Sequence, residues 1–265
     1  MLLDNKNAVI YGGGGAIGGA VARAFAREGA TVYLAGRTLA RLELVAREIC
    51  AAGGKAETAE VDAMDERAVD RHADGVAAKE GGIDIALNAV GIAHVQGAPF
   101  AELSYEDYAH PITASTRTNF LTAKAVARHM ARQGSGVILL LAPGPGARMS
   151  GRWFLGNGVS AAAVEAISRI LAGELGPNGI RVNCLRPHAI PESVASSHTR
   201  ELFNSMAGLS GLTTDAWLSV LAGTTLLGRL PTLAEVAETA AFLASDRAGA
   251  MTGTVANLTA GTLVD

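Results

Sequence analysis

The sequence predicts a doubly wound α/β fold, Rossmann-like, with a parallel sheet of about seven strands. Three observations predict it. Short apolar, β-branched runs alternate with amphipathic helical runs along most of the chain. A run of four glycines lies between the first strand-like segment and the first helical one. The chain has 265 residues, 49% of them hydrophobic, enough for one large core. A single domain over residues 1–265 is therefore expected.

The elements follow in order. Residues 8–11 (AVIY) read as a buried strand, and residues 12–15 are all glycine. Residues 17–28 are amphipathic, with Val21, Ala24 and Phe25 on one face. A second strand follows at 31–35 (TVYLA), the spacing a βαβ unit needs. Further strands are predicted at 56–61, 83–88, 137–142, 181–185 and 254–258. Helices are predicted at 39–52, 66–80, 116–132, 158–175 and 233–244. Pro177, Asn178 and Gly179 make a turn before the sixth strand. Residues 191–230 fall outside the alternation. In open α/β sheets ligands sit beyond the carboxyl ends of the strands, so this insertion is the expected lid.

Strand, glycine turn and helix together suit a phosphate. The glycines admit unusual φ values and a close backbone approach. The helix start offers unpaired N–H groups and the positive end of its dipole. Net charge is −3, which gives no electrostatic ground for a nucleic-acid or membrane partner. Apolar runs such as 137–143 are too short to span a bilayer, and no leader pattern opens the chain. A cytoplasmic protein is the expectation. Cys50 and Cys184 lack metal-ligand spacing and read as reduced core thiols, and no metal site is expected.

Several ordered motifs resemble those of the short-chain dehydrogenase/reductase family over essentially the whole chain. The family's T-G-x-x-x-G-I-G run is occupied by Tyr11, Gly12, Gly13, Gly14, Gly15, Ala16, Ile17 and Gly18. Asp62 stands where the family places an adenine-contacting Asp, with Ala63 beside it. Asn88, Ala89, Val90 and Gly91 resemble its N-N-A-G motif. Residues 176–183 resemble G-x-x-G-I-R-V-N, followed by Arg186, Pro187 and His188 where P-G is common. Met251, Thr252 and Gly253 resemble its M-T-G.

The resemblance implies a nicotinamide dinucleotide held by Gly12, Gly14, Gly15, Ala16, Ile17, Gly18, Asp62, Ala63, Asn88, Ala89, Val90, Gly91 and Pro187. The second strand ends in Gly36 and Arg37, with no acid for a ribose 2′-hydroxyl. A guanidinium there can pair with a 2′-phosphate, so NADP(H) is the expected cofactor.

The resemblance also implies a catalytic Tyr, a Lys four residues later, a Ser upstream and an Asn in the preceding helix. Counting back from 168–175 puts Asn157 at the Tyr position, Ala161 at the Lys position and Pro143–Gly144 near the Ser position. The tyrosines are Tyr11, Tyr33, Tyr105 and Tyr108, and no Lys follows Lys124. Only Asn119 keeps its place. Asn157 can polarise a carbonyl but cannot carry a proton. His188 is the expected general acid, with His94 a weaker one. Arg148 and Arg152 read as solvated, and neither Ser150 nor Ser160 has a base at nucleophile spacing.

The expected function is NADP-dependent reduction of a carbonyl, imine or activated alkene on a small molecule. The alternatives are a non-redox lyase, isomerase or cyclase, and a nucleotide-binding homologue without turnover. The resemblance further implies a homotetramer or homodimer through 116–132 and 158–175. The small residues Ala161, Ala162 and Ala163 would permit close helix approach there.

Overall fold

Strand after strand, the apolar runs line up in parallel because each helix carries the chain back across the sheet. The computed structural model describes residues 1–148, 152–195 and 199–264. The strands are β1 (Asn7–Tyr11), β2 (Thr31–Gly36), β3 (Lys55–Glu60), β4 (Ile85–Asn88), β5 (Gly136–Leu141), β6 (Ile180–Pro187) and β7 (Val255–Leu258). They pair in the order β3-β2-β1-β4-β5-β6-β7, all parallel. The chain reverses direction across the sheet between β1 and β4, where Ala8 pairs with Ile85 and Tyr11 with Asn88.

Eight α-helices are described: α1 (Ala16–Arg27), α2 (Leu39–Ala51), α3 (Glu66–Glu80), α4 (Tyr105–Gln133), α5 (Leu155–Leu175), α6 (Thr199–Leu209), α7 (Thr214–Gly223) and α8 (Leu233–Ala244). Alternate strand residues face opposite sides, so the core has two layers. Ala8, Ile10 and Leu34 pack with α1 and α8, through Phe25 and Ala240. Val9, Tyr11 and Ala35 pack with α3 and α4, through Val69 and Val126. Among the described residues no helix is long and apolar enough to cross a membrane.

Several expectations change. β3 (KAETAE) is an edge strand with Lys55, Glu57 and Glu60 exposed, so it is not buried on both faces. α4 begins at Tyr105, eleven residues before the predicted 116. Ser104 caps it by accepting the Asp107 N–H at 3.0 Å, and Pro111 is carried inside the helix. The insertion is not irregular. It forms α6 and α7, with Phe203 against Trp217 (ring centroids 5.3 Å apart) and Leu218 and Leu230 in a small core of their own. Cys50 is exposed on the solvent side of α2, not in the core. Cys184 is buried, and burial pushes its thiol up to about 12. Of the three alanines, Ala161 is buried, Ala163 half-buried and Ala162 exposed, so they do not form one open face.

His72 on α3 meets Tyr11 edge-on, with ring centroids 5.5 Å apart. Burial holds its imidazole near a pKa of about 4, against 6.5 when free. A depressed histidine favours the folded chain above the free pKa, and that stability is lost as pH falls toward the folded value. Between pH 6.5 and 4 the loss from this group is about 3 kcal/mol. Urea titrations of wild type and His72→Gln across that range should show the steeper acid loss in wild type. Identical slopes would exclude His72 as the source.

Candidate functional site

The glycine turn is built by steric necessity at two positions. Gly12 has φ +82°, and a Cβ on it would lie 2.4 Å from the Ala89 carbonyl oxygen. A Cβ on Gly18 would lie 2.3 Å from the Gly12 carbonyl oxygen. The turn is therefore pressed between β4 and α1. Its end, Gly15, caps α1 without a side chain, and no acid lies in the first turn. The first N–H groups of α1 are thus left to a ligand.

A cleft of about 740 Å³ runs from this turn across the β1–β4 reversal. Gly12, Gly14, Gly15, Ala16 and Ile17 line one part of it. Arg37, Asp62 and Ala63 line the end beside β2, and Asn88, Ala89, Val90 and Gly91 line the centre. Asn119, Asn157, Pro187 and His188 line the opposite, deep end. Gly18 is the exception among the sequence candidates. It is off the lining, beneath the Gly12 carbonyl, and shapes the turn from behind. His94 and Ser160 also line the deep end, whereas Arg148 and Arg152 are exposed and off the lining. Ser150 lies outside the described residues.

At the β2 end, Arg37 and Arg41 are exposed on the cleft rim and form no ion pair with any described residue. Arg41 was not among the sequence candidates. The signal was there, because Arg37 and Arg41 are four residues apart across the start of a predicted helix. The Asp62 carboxylate accepts the Met64 N–H at 2.9 Å, which closes its turn. Asn88 secures the centre: its Nδ2 donates to Thr122 Oγ1 at 3.0 Å, and its Oδ1 accepts the Val90 N–H at 3.1 Å.

At the deep end, the loop after β5 lies close on α5. Gly146 and Gly158 permit this, since a Cβ on Gly146 would stand 2.9 Å from the Gly158 Cα. The close approach lets Asn157 Nδ2 donate to the Pro143 carbonyl at 3.1 Å. Asn119 Nδ2 donates to the Ser115 carbonyl at 2.8 Å, and its buried Oδ1 has no partner among the described residues. His188 Nδ1 accepts the Ala189 N–H at 2.6 Å, which leaves the ring hydrogen on Nε2. That Nε2 is buried without a partner among the described residues. Burial lowers the His188 pKa. The side chain expected as a proton-carrying acid is therefore a neutral N–H donor. His94 is also lowered, chiefly by burial, against a hydrogen bond to the Ile92 carbonyl. Behind both elements, Arg186 of β6 and Glu165 of α5 form a buried ion pair at 3.1 Å. Among the described residues no group of His, Cys, Asp and Glu is placed to hold a metal.

The sequence profile of the family described as enoyl-(acyl carrier protein) reductase matches residues 14–262. The chain belongs to the short-chain dehydrogenase/reductase family. It is 31% identical over 251 residues to D-threitol dehydrogenase of Mycolicibacterium smegmatis, covering 95% of this chain and 90% of that one. It is 29% identical over 261 residues to 3-oxoacyl-(acyl-carrier-protein) reductase FabG of Chlamydia muridarum, covering 98% of each. Its fold matches the crystal structure of an NAD+-bound xylitol dehydrogenase with a TM-score of 0.89. The sequences are 25% identical, and the match covers 98% of this chain and 100% of that one.

As a short-chain dehydrogenase/reductase, the protein is an oxidoreductase of a family that uses nicotinamide cofactors. The cleft fits such a group. The uncapped N-terminus of α1 suits a pyrophosphate, and a groove continues from it in both directions, toward Arg37 and toward His188. Other lining residues that periodicity did not single out are Ser115, Phe154, Phe203 and Trp217. The last two come from the insertion, whose sequence has no site motif.

Proposed function

We propose that the protein is an NADP(H)-dependent oxidoreductase that reduces a carbonyl, imine or activated alkene without the family's Tyr–Lys pair. One observation carries this reading. A single cleft joins two guanidinium groups that no described residue pairs, and an uncapped helix N-terminus, to a deep end lined by Asn119, Asn157 and His188. When bound, the dinucleotide supplies hydride. Arg37 and Arg41 hold the 2′-phosphate, and Asp62 and Ala63 border the adenine. Asn88, Ala89, Val90, Gly91 and Pro187 frame the middle of the groove.

Asn157 and the neutral His188 act as hydrogen-bond donors toward the substrate heteroatom, and Asn119 positions its helix. None of the three delivers a proton at neutral pH, so they polarise the substrate, and the proton that completes reduction of a carbonyl or alkene comes from solvent water. An imine that arrives protonated needs no donor from the chain. Residues 191–230 act as a lid within the single domain; 196–198 lie outside the described residues. α4 and α5 present Phe120 and Ile170, both more than half exposed, to a second copy in a homodimer or homotetramer.

NADPH consumption against a panel of ketones, cyclic imines and enones tests the proposal. Turnover is expected with at least one class. His188→Ala should lower kcat/KM on the order of 100- to 1000-fold, the effect of removing one preorganised donor. Intact NADPH binding with silence across the panel would overturn redox catalysis and favour a nucleotide-binding homologue. Asn157 and Ala161, at the positions the resemblance gives to Tyr and Lys, have no titratable group, which supports that second reading. Product without any change at the nicotinamide would point to a lyase, isomerase or cyclase.

A further inference from the structure

The deep half of the cleft differs in chemistry from the half beside β2. Every charged residue on the described lining belongs to the β2 end: Arg37, Arg41 and Asp62. Beyond Asn88 the described lining has no Asp, Glu, Lys or Arg. Of the residues outside the described set, 149–151 and 196–198 include none of these four types, and the remaining one, Asp265, is not a cation. The walls there are Phe154, Leu202, Phe203, Met206, Trp217 and Leu221.

The polar side chains of this half are largely paired with the chain itself. His94 Nδ1 donates to the Ile92 carbonyl at 2.8 Å, and Gln96 lies 3.0 Å from its Nε2. His110 donates to the Ala93 carbonyl at 3.1 Å, Ser160 to the Pro111 carbonyl at 3.2 Å, and Ser193 to the Ile190 carbonyl at 2.7 Å. Asn157 is held on Pro143. Among the described residues, two buried polar atoms on this wall have no partner: His188 Nε2, a donor, and Asn119 Oδ1, an acceptor.

We infer that the deep half takes a compact apolar ring system bearing one hydrogen-bond acceptor and no anionic group, such as an alicyclic ketone or imine. An anion brought here would be desolvated with no cation to meet it. A polyol would bring several hydroxyls to a wall with few open partners, and each unmet hydroxyl lowers affinity. A rigid apolar ring places its surface on Trp217, Phe203 and Leu202 and its single acceptor toward His188 Nε2. The substrate class thus separates this chain from relatives named for threitol and xylitol. The assignment rests on the reading of this cleft as the substrate site of a reductase.

Binding is read without turnover. Trp217 lines the site, so its emission reports occupancy. The protein is titrated with 2-decalone, decalin-2-carboxylate and xylitol, with and without NADP. Saturable change with 2-decalone is expected at least tenfold tighter than with either comparison compound, and Trp217→Phe should remove the change. Met206→Lys should improve decalin-2-carboxylate binding at least tenfold by supplying the missing cation. Equal or tighter binding of xylitol or of the carboxylate to wild type overturns the inference, as does absence of saturable change with 2-decalone. NADPH affinity, measured separately by nicotinamide fluorescence, keeps the two readings apart. Loss of dinucleotide binding with retained decalone binding refutes the reductase and leaves the ring-binding site standing. Normal NADPH binding with preferred xylitol binding does the reverse.

Discussion

Arg37→Asp is expected to turn the cofactor preference from NADP(H) toward NAD(H), changing the ratio of the two affinities on the order of 100- to 1000-fold. The guanidinium forms no ion pair with any described residue, so its charge is available at the cleft rim. Charge-assisted hydrogen bonds to a phosphate are worth about 1.5–3 kcal/mol each. The introduced carboxylate would repel a 2′-phosphate and bond a free 2′-hydroxyl instead, so the two effects reinforce one another. Arg41→Ala should cost NADPH about tenfold and leave NADH nearly unchanged, because one guanidinium remains. Dissociation constants for NADPH and NADH from nicotinamide fluorescence decide the matter. Equal weakening of both would show that Arg37 is only a surface charge.

Gly12→Ala is expected to damage both stability and dinucleotide binding. An alanine at φ +82° adopts the left-handed region at a cost of about 1–2 kcal/mol. Its Cβ would also lie 2.4 Å from a backbone oxygen, which no rotamer change can relieve. The Ala89–Val90 segment must move, and that segment is the central wall of the cleft. A loss of about 3 kcal/mol or more is expected. In a chain of this size that lowers Tm by roughly 6–12 °C. NADPH affinity should fall at least tenfold. Gly75→Ala is the contrasting variant. Gly75 lies inside α3 with nothing within 4 Å of an added Cβ. Alanine there should stabilise the protein by about 0.8–1 kcal/mol. Thermal melts that rank the two variants the other way would refute the steric account of the turn.

Much of the helical pattern was legible in the sequence, since α3 and α8 match the periodic runs 66–80 and 233–244 end to end. What escaped had a physical cause in each case. α4 continues back through Pro111, a residue that removes a helix hydrogen bond and argues against a helix locally. β3 shows half-buried alternation because nothing covers it beyond the sheet edge. The insertion's two helices take their stability from Phe203, Trp217 and Leu218 packing on one another, a contact that spacing alone does not reveal. At the site, the glycine turn, Arg37 and Asn119 could be located by motif. The state of His188 could not, because it depends on the backbone N–H of Ala189. Nor could the fastening of Asn157 to Pro143, which requires Gly146 and Gly158 to touch across two elements.

The reversal between β1 and β4 has a kinetic consequence. Ala8 cannot meet Ile85 until two intervening strands and three helices have been synthesised. On a ribosome, β1 and β2 can pair early, but the crevice between β1 and β4 has only one bank until residue 88 emerges. Closing so long a loop adds entropy cost only slowly with length, yet non-local pairing of this kind slows folding. The cleft is therefore completed late. A nascent or partly folded chain can pair β1 with β2 and still lack the central wall of the cleft, which Asn88 to Gly91 supply.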